Sequence, residues 1–205
     1  MNYTELASKE AVDKTVAALT AHSFMPEVLP TKEAALARIK ELVPAGSSVM
    51  NGASVTLDQI GYVEYLKSKQ HGWSNIHDTI LEETDEAKKA DLRKMGVISD
   101  FYMGSVHAVT EDGQMLIASN SGSQLPHLAY TSPNLILVVS TQKIVPTITD
   151  AFDRVEKHIL PLEDARMKKV LGYGTAHNKT LILHAENPAI GRKVHVLLVE
   201  EVLGF

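Results

Sequence analysis

The sequence contains no cysteine. This absence excludes disulfide bonds, cysteine-ligated zinc, iron–sulfur clusters held by this chain and any thiol nucleophile, so chemistry must come from oxygen and nitrogen groups. Histidine is frequent, with nine residues. His107, His184 and His195 each stand alone in a strand-like run, which favours hydrogen-bonded core histidines over metal ligands. No metal site is therefore predicted.

Long apolar runs and basic clusters are also missing. Apolar runs such as Leu135–Val139 are far too short to cross a bilayer, and the first residues, MNYTELASKE, are polar and unlike a signal peptide. The 20 Lys and Arg residues are outnumbered by 25 Asp and Glu residues, which gives a net charge of -5. Without a Lys/Arg-rich stretch, nucleic acid is not an expected partner. We therefore expect a cytoplasmic protein without a membrane span.

Standard nucleotide and hydrolase motifs are absent as well. There is no Walker loop, no nucleophile-elbow serine and no His-Glu-x-x-His pattern. Gly172-Tyr173-Gly174 opens like a dinucleotide fingerprint, but His177 stands where the third glycine belongs and the segment follows a predicted helix. A standard nicotinamide site is thus excluded, and the sequence specifies no cofactor.

The order of predicted elements is typical of an α/β protein. Capping residues, apolar periodicity and proline breaks at Pro26, Pro30 and Pro161 predict about seven strands and six helices. Predicted helices are Thr4–His22, Thr31–Leu42, Thr56–Lys69, Thr84–Met95, Ile148–Ile159 and Glu163–Val170, and predicted strands include Ser47–Asn51, Gly104–Thr110, Gln114–Ala118, Leu135–Val139, Thr180–His184 and Lys193–Glu201. We expect a three-layer sandwich with a mostly parallel sheet plus an antiparallel segment. An N-terminal helical segment over residues 1–30 would precede an α/β domain over residues 31–205.

Small polar residues cluster after two of the predicted strands. Loops of this kind offer N–H groups to anions at the carboxyl edge of an α/β sheet. The same residue types are also common in turns that bind no ligand. Lys143, at the end of a buried strand, either neutralises an anionic ligand or points into solvent. Glu111, at a hairpin tip, is either a nucleophile or base, or a solvated turn residue. The candidate ligand-binding residues are Gly52, Ala53, Ser54, Gly113, Asn120, Ser121, Gly122, Ser123, Gln124 and Lys143. His127 and His177, in predicted loops, are candidates for a pocket wall.

Several segments, in this order, resemble the lactate-utilisation (LUD) domain family, which includes the LutC type. The segments are Val109–Leu116, Ser119–Ser123, Ser132–Val139, Gln142–Val145 and Asp150–Val155. A looser similarity extends over most of the chain from about Thr31 onward. The resemblance implies a fold similar to that of sugar-phosphate isomerases, CoA-transferases and formyltetrahydrofolate cyclo-ligases. Glu111 and Gly113 match the family's acidic-x-glycine turn, and Asn120–Ser123 match its small-residue loop.

The same resemblance implies a role in oxidation of L-lactate to pyruvate, together with partner subunits that carry iron–sulfur clusters. Two hypotheses follow. In the first, the chain is a non-redox accessory subunit that binds a small anionic or nucleotide-like ligand. In the second, it is a free-standing enzyme for acyl-CoA esters or phosphorylated metabolites that uses Glu111 as nucleophile or base, as a glutamate in a comparable turn does in related CoA-transferases. Self-association into a homo-oligomer stays open in both.

Overall fold

The computed structural model describes all 205 residues and contains ten strands and eight α-helices. The strands are β1 (Met25–Leu29), β2 (Ser48–Asn51), β3 (Ser74–Asn75), β4 (Phe101–Gly104), β5 (Ala108–Thr110), β6 (Met115–Ser119), β7 (Asn134–Ser140), β8 (Ile144–Val145), β9 (Lys179–Leu183) and β10 (Lys193–Val199). The helices are α1 (Lys9–Ala21), α2 (Lys32–Leu42), α3 (Val55–Gln59), α4 (Tyr62–Lys67), α5 (Ile76–Glu82), α6 (Glu86–Met95), α7 (Ile148–Arg154) and α8 (Leu160–Leu171). π segments occupy His127–Thr131 and Val155–Ile159, and 3₁₀ turns occupy Thr141–Lys143 and Pro188–Ile190.

Two sheets form the framework. The main sheet has six strands in the order β1-β10-β7-β4-β2-β3, and all of its pairings are parallel. The second sheet has the order β8-β5-β6-β9, in which β5 pairs parallel with β8 while β6 runs antiparallel to both β5 and β9. The expected mostly parallel sheet with an antiparallel segment is thus confirmed.

The main sheet is buried on both faces. Alternate side chains of β7 point to opposite sides. Ile136 and Val138 pack with α2, α3 and α4, whereas Leu135, Leu137 and Val139 pack with α1 and the second sheet. Burial of each such side chain is worth roughly 1.5–3 kcal/mol, so this strand is central to stability. The result is the predicted three-layer α/β sandwich, with α7 covering the outer face of the second sheet.

Two adjacent parallel strands leave the main sheet together and enter the second one. β4 continues through residues 105–107 into β5, and β7 continues through the 3₁₀ turn Thr141–Lys143 into β8. Because β4 pairs with β7 and β5 pairs with β8, these two crossovers lie side by side. They bring Ser105 and Lys143 into contact at the point where the sheets separate.

The N-terminal segment is not purely helical. Pro26 and Pro30 predicted a break, but Met25–Leu29 forms β1, which pairs with β10 from Met25↔His195 to Leu29↔Val199. A proline is tolerated there because an edge strand needs N–H groups on only one side. Residues 25–29 therefore belong to the main sheet, within the segment expected to be an appended helix.

Two helix predictions need correction. The helix predicted from Thr56 to Lys69 is divided into α3 and α4 at Gly61, whose φ is +80°. The N-cap of α3 is Ser54, which accepts from the Leu57 N–H, and not Thr56. Pro161, expected to interrupt, lies in the first turn of α8, where a missing N–H is tolerated, and the preceding π segment keeps the helix continuous with α7.

The charged helix α6 lies at the surface. It contains no buried residue, and Met95 at its end is 68% exposed. The short β3 and α5 precede α6 in the chain. None of the helices is both long and apolar enough to cross a membrane.

Candidate functional site

A cavity of about 480 Å³ opens where the two sheets separate. Its walls come from the segments after β2 and β4, the end of β6 with the loop that follows, the helical face from Val155 to Met167, the loop 173–177, and Gly204 and Phe205. This places it at the carboxyl ends of parallel strands, the usual position of ligand sites in open α/β sheets. Its volume is in the range of small-molecule pockets.

Lys143 lies at the base of this cavity. The residue is only 4% exposed, and its Nζ donates to Thr56 Oγ1 at 3.0 Å, Ser105 Oγ at 3.1 Å and the Val106 carbonyl at 3.3 Å. All three acceptors are uncharged, and Lys143 takes part in none of the ion pairs of the protein. Its positive charge is therefore buried without a carboxylate partner.

Burial without compensation lowers the pKa of Lys143 to about 7, and the nearby Arg154 guanidinium adds to the effect. Arg154 is itself fully buried, and burial lowers its pKa to about 10. Its Nη2 donates to a main-chain oxygen of Phe205, the last residue of the sequence, at 2.8 Å, whereas Nε and Nη1 have no hydrogen-bond partner. Neither Lys143, which lines the cavity, nor Arg154, which does not, forms an ion pair with an Asp or Glu side chain.

His107 forms part of the wall beside Lys143. The Ala118 N–H donates to His107 Nδ1 at 3.2 Å, which leaves Nε2 as the protonated nitrogen of the neutral ring. Burial lowers the pKa of His107 to about 3, with further contributions from Lys143, Arg154 and His177. The imidazole therefore stays neutral at physiological pH and offers one N–H donor.

Charged side chains at the opposite wall are paired with each other. Arg166 makes two hydrogen bonds to Glu163, at 2.7 and 2.6 Å, and both residues line the cavity. His177 also lines it, with Nδ1 2.6 Å from Glu156 and Nε2 2.6 Å from Thr180. Arg166 and Glu163 therefore offset each other's charge on this wall.

Most of the sequence-predicted ligand-binding residues meet in this cavity. Gly52, Ala53, Ser54, Asn120, Ser121, Ser123, Gln124 and Lys143 line it, whereas Gly122 does not. The loop satisfies part of its own hydrogen bonding, because Gly122 N–H donates to Ser119 Oγ and Ser123 N–H to Ser121 Oγ. These two N–H groups are consequently not free for an anion.

Glu111 and Gly113 lie elsewhere. β5 starts at the crossover beside Lys143 and runs away from the cavity, so the turn Glu111–Gly113 is a strand's length from it. Glu111 forms an ion pair with Lys14 of α1 at 2.9 Å, and neither Glu111 nor Gly113 lines the cavity. The turn itself forms as predicted, with φ of +86° at Gly113. Glu111 and Gly113, both candidate site residues of the sequence, therefore do not share this cavity with the serine-rich loop.

Sequence reasoning missed several residues of the wall. Thr56 and Arg166 lie in predicted helices and Ser105 in a predicted strand, and none of them was a candidate, whereas His177 was. His127 is buried outside the cavity, 4.3 Å from the Tyr102 ring and 2.8 Å from Ser132 Oγ. No group of three or more His, Cys, Asp or Glu side chains is placed to hold a metal ion.

Comparison with known proteins identifies the family. A family model of the LUD domain matches residues 12–199, which is most of the chain. The chain belongs to the LUD domain family. The fold of this LUD domain is similar to the crystal structure of a DUF162 family protein from Deinococcus radiodurans at 1.70 Å resolution. That comparison has a TM-score of 0.56 and 13% identity over 95% of this chain and 99% of the other. No curated protein matches the sequence.

Proposed function

We propose that this LUD domain is a non-redox accessory subunit, similar to the LutC type, in the oxidation of L-lactate to pyruvate. It binds a small anionic or nucleotide-like ligand in the cavity between the sheets. Iron–sulfur partner subunits carry the electrons, because this chain has no cysteine to hold such clusters. Support comes from membership of the LUD family and from the three-layer α/β fold with a cavity at the carboxyl ends of parallel strands.

One observation carries the proposal: the Lys143 amino group lies in the cavity among neutral oxygens only. A carboxylate or phosphate entering the cavity would supply the missing negative charge and favour the ammonium form. The N–H of neutral His107 and the polar side chains of Asn120 and Gln124 provide further hydrogen-bonding groups on the wall. An anion is thus the ligand class that this surface recognises best.

A thermal-shift screen tests anion binding directly. The probes are L-lactate, pyruvate, inorganic phosphate, ATP and acetyl-CoA, each with wild type, Lys143→Met and the matched control Lys88→Met, whose side chain is exposed on α6. A ligand present at 100-fold over its Kd stabilises the native state by about 2.7 kcal/mol. We expect at least one anion to stabilise wild type and Lys88→Met, and its affinity to fall by about tenfold or more in Lys143→Met, the loss typical of a charged hydrogen-bonding group.

Two results would contradict the proposal: no stabilisation by any of these anions, or equal stabilisation of wild type and Lys143→Met. The partner assignment is tested separately by purifying the tagged chain from its native cells and recording the visible absorption of iron–sulfur clusters in what co-purifies. The alternative, a free-standing enzyme with Glu111 as nucleophile or base, gains no support from the geometry, because Glu111 is paired with Lys14 outside the cavity. Glu111→Gln should bind these ligands like wild type.

A further inference from the structure

Lys14 and Lys143 differ in the charge of the groups that their amino groups contact. Lys14 contacts the carboxylate of Glu111, and this hydrogen bond raises the pKa of its amino group. Lys143 contacts two hydroxyls and one carbonyl, and burial lowers the pKa of its amino group to about 7. At neutral pH a far larger fraction of Lys143 amines is therefore uncharged than for a lysine with the ordinary pKa.

The partners of Lys143 suit a neutral amine as well as an ammonium. A carbonyl can only accept, but a hydroxyl can either accept or donate. The neutral amine can therefore donate to Val106 O and to one hydroxyl while it accepts from the other hydroxyl, Thr56 or Ser105. A carboxylate partner would have stabilised the ammonium form. The site thus holds a potential nucleophile next to two groups able to move a proton.

We propose that Lys143 forms a reversible imine with the carbonyl group of a small 2-oxo acid bound in the cavity. This inference rests on the proposed function and narrows the ligand class from anions in general to anions that also carry a ketone or aldehyde. The His107 Nε2–H on the cavity wall and the positive charge of the nearby Arg154 favour the carboxylate of such a ligand. Only an uncharged amine has the lone pair needed to attack the ketone carbon.

The step is balanced without an oxidant or reductant. The Nζ lone pair attacks the carbonyl carbon, the C–N bond forms as the carbonyl π bond breaks, and one of the two amine protons is passed to the carbonyl oxygen to give a neutral carbinolamine. The second amine proton is then passed from nitrogen to the carbinolamine hydroxyl, the C–O bond breaks to release water, and the C=N bond forms. The hydroxyls of Ser105 and Thr56 lie within hydrogen-bond distance of Nζ and can relay these protons.

Reductive trapping tests the imine in the intact chain. The protein is incubated with pyruvate and sodium cyanoborohydride between pH 6 and 9, and modified lysines are located by peptide mass mapping. We expect one dominant adduct on Lys143, at least about tenfold above any surface lysine at pH 7, with a yield that rises through pH 7. L-lactate and phosphate have no carbonyl to trap, should form no adduct and should lower the yield by competition. The matched variant Lys88→Met should give the same adduct on Lys143.

The other charged side chains and histidines of the cavity are His107, His177 and the Arg166–Glu163 pair, and Arg154 of α7 acts on Lys143 from nearby. His107 is already neutral over this pH range. Absence of an adduct, or adducts spread over surface lysines without an excess at Lys143, would overturn the proposal. Lys143-dependent stabilisation by lactate or phosphate without a pyruvate adduct would overturn the imine and leave the proposed function standing. Neither stabilisation nor adduct would overturn both. Because mapping is done on wild type, the result does not depend on whether Lys143→Met folds.

Discussion

The buried amino group of Lys143 makes stability depend on pH. Its pKa is about 7 in the folded chain and 10.5 at the ordinary value. Between these values the unfolded chain binds more protons than the native one, so stability rises with pH, by at most about 1.4 kcal/mol per pH unit. Urea unfolding of wild type and Lys143→Met at pH 7.5 and 9.5 measures this pH dependence. We expect the free energy of unfolding to rise more between these two pH values in wild type than in Lys143→Met. Parallel changes in the two proteins would show that Lys143 keeps an ordinary pKa.

Single residues show where sequence reasoning stops. The sequence indicated that Lys143 follows a buried strand, but whether its side chain turns inward depends on Thr56 and Ser105, which are distant in sequence. Glu111 was placed in the correct turn, as the φ of Gly113 shows. Its distance from the cavity depends on the direction of β5, and its pairing with Lys14 depends on α1. Residue type and local spacing reveal neither the direction of β5 nor the position of α1 beside the turn.

At the scale of elements, the β5–β6 hairpin fits closely against α1. Gly113 has φ of +86°, and a Cβ there would lie 3.0 Å from both the Ala18 carbonyl carbon and His22 Nδ1. Gly46 is a matched control, with φ of +82° and no atom within 4 Å of its Cβ position. Gly46→Ala should cost about 1 kcal/mol for the left-handed backbone alone, and Gly113→Ala should cost about 1–3 kcal/mol more because of overpacking.

Thermal or urea unfolding of the two alanine variants checks this difference. An equal loss of stability in Gly46→Ala and Gly113→Ala would mean that α1 can shift to make room for the added methyl group at no energetic cost. The stability of the hairpin would then not depend on its close contact with α1.

Elements were predicted well where local signals act alone. The Thr31 cap and the reciprocal hydrogen bonds of Thr147 and Asp150 form at the starts of α2 and α7, as their spacing indicated. Errors arose where tertiary structure decides. β1 tolerates its prolines because it pairs on one edge with β10, and the chain passes Pro161 without a break because a π segment precedes it. Neither compensation is visible in a local sequence window.

At the scale of the whole molecule, residues 1–30 should be indispensable. They contribute β1 and the buried side chains Val12, Leu19 and Phe24. These side chains alone account for roughly 5–9 kcal/mol of burial at 1.5–3 kcal/mol each, comparable with the total stability of a typical domain. A chain lacking residues 1–30 should lose cooperative unfolding or aggregate, whereas removal of only the exposed Met1 and Asn2 should have little effect.

Circular dichroism melts of the two truncated chains provide the measurement. A cooperative transition near the wild-type Tm without residues 1–30 would support a separate N-terminal segment instead.

The class of the fold was predictable from sequence, and its connectivity was not. The β-branched run Leu135–Val139 and the alternation of strands with capped helices indicated a parallel sheet, which β7 and its neighbours form. The division into two sheets depends on crossovers of only three residues each, at 105–107 and 141–143. Such short connections look like ordinary strand ends in a sequence, so the position of the cavity between the sheets could not be derived.

The paired crossovers also have a mechanical meaning. Lys143 comes from one crossover and its partners Ser105 and Val106 from the other, so its amino group connects the two crossovers by hydrogen bonds. Any hinge motion of one sheet against the other must stretch these contacts. A change in the angle between the two sheets and a change in the protonation or bonding of Lys143 Nζ should therefore affect each other.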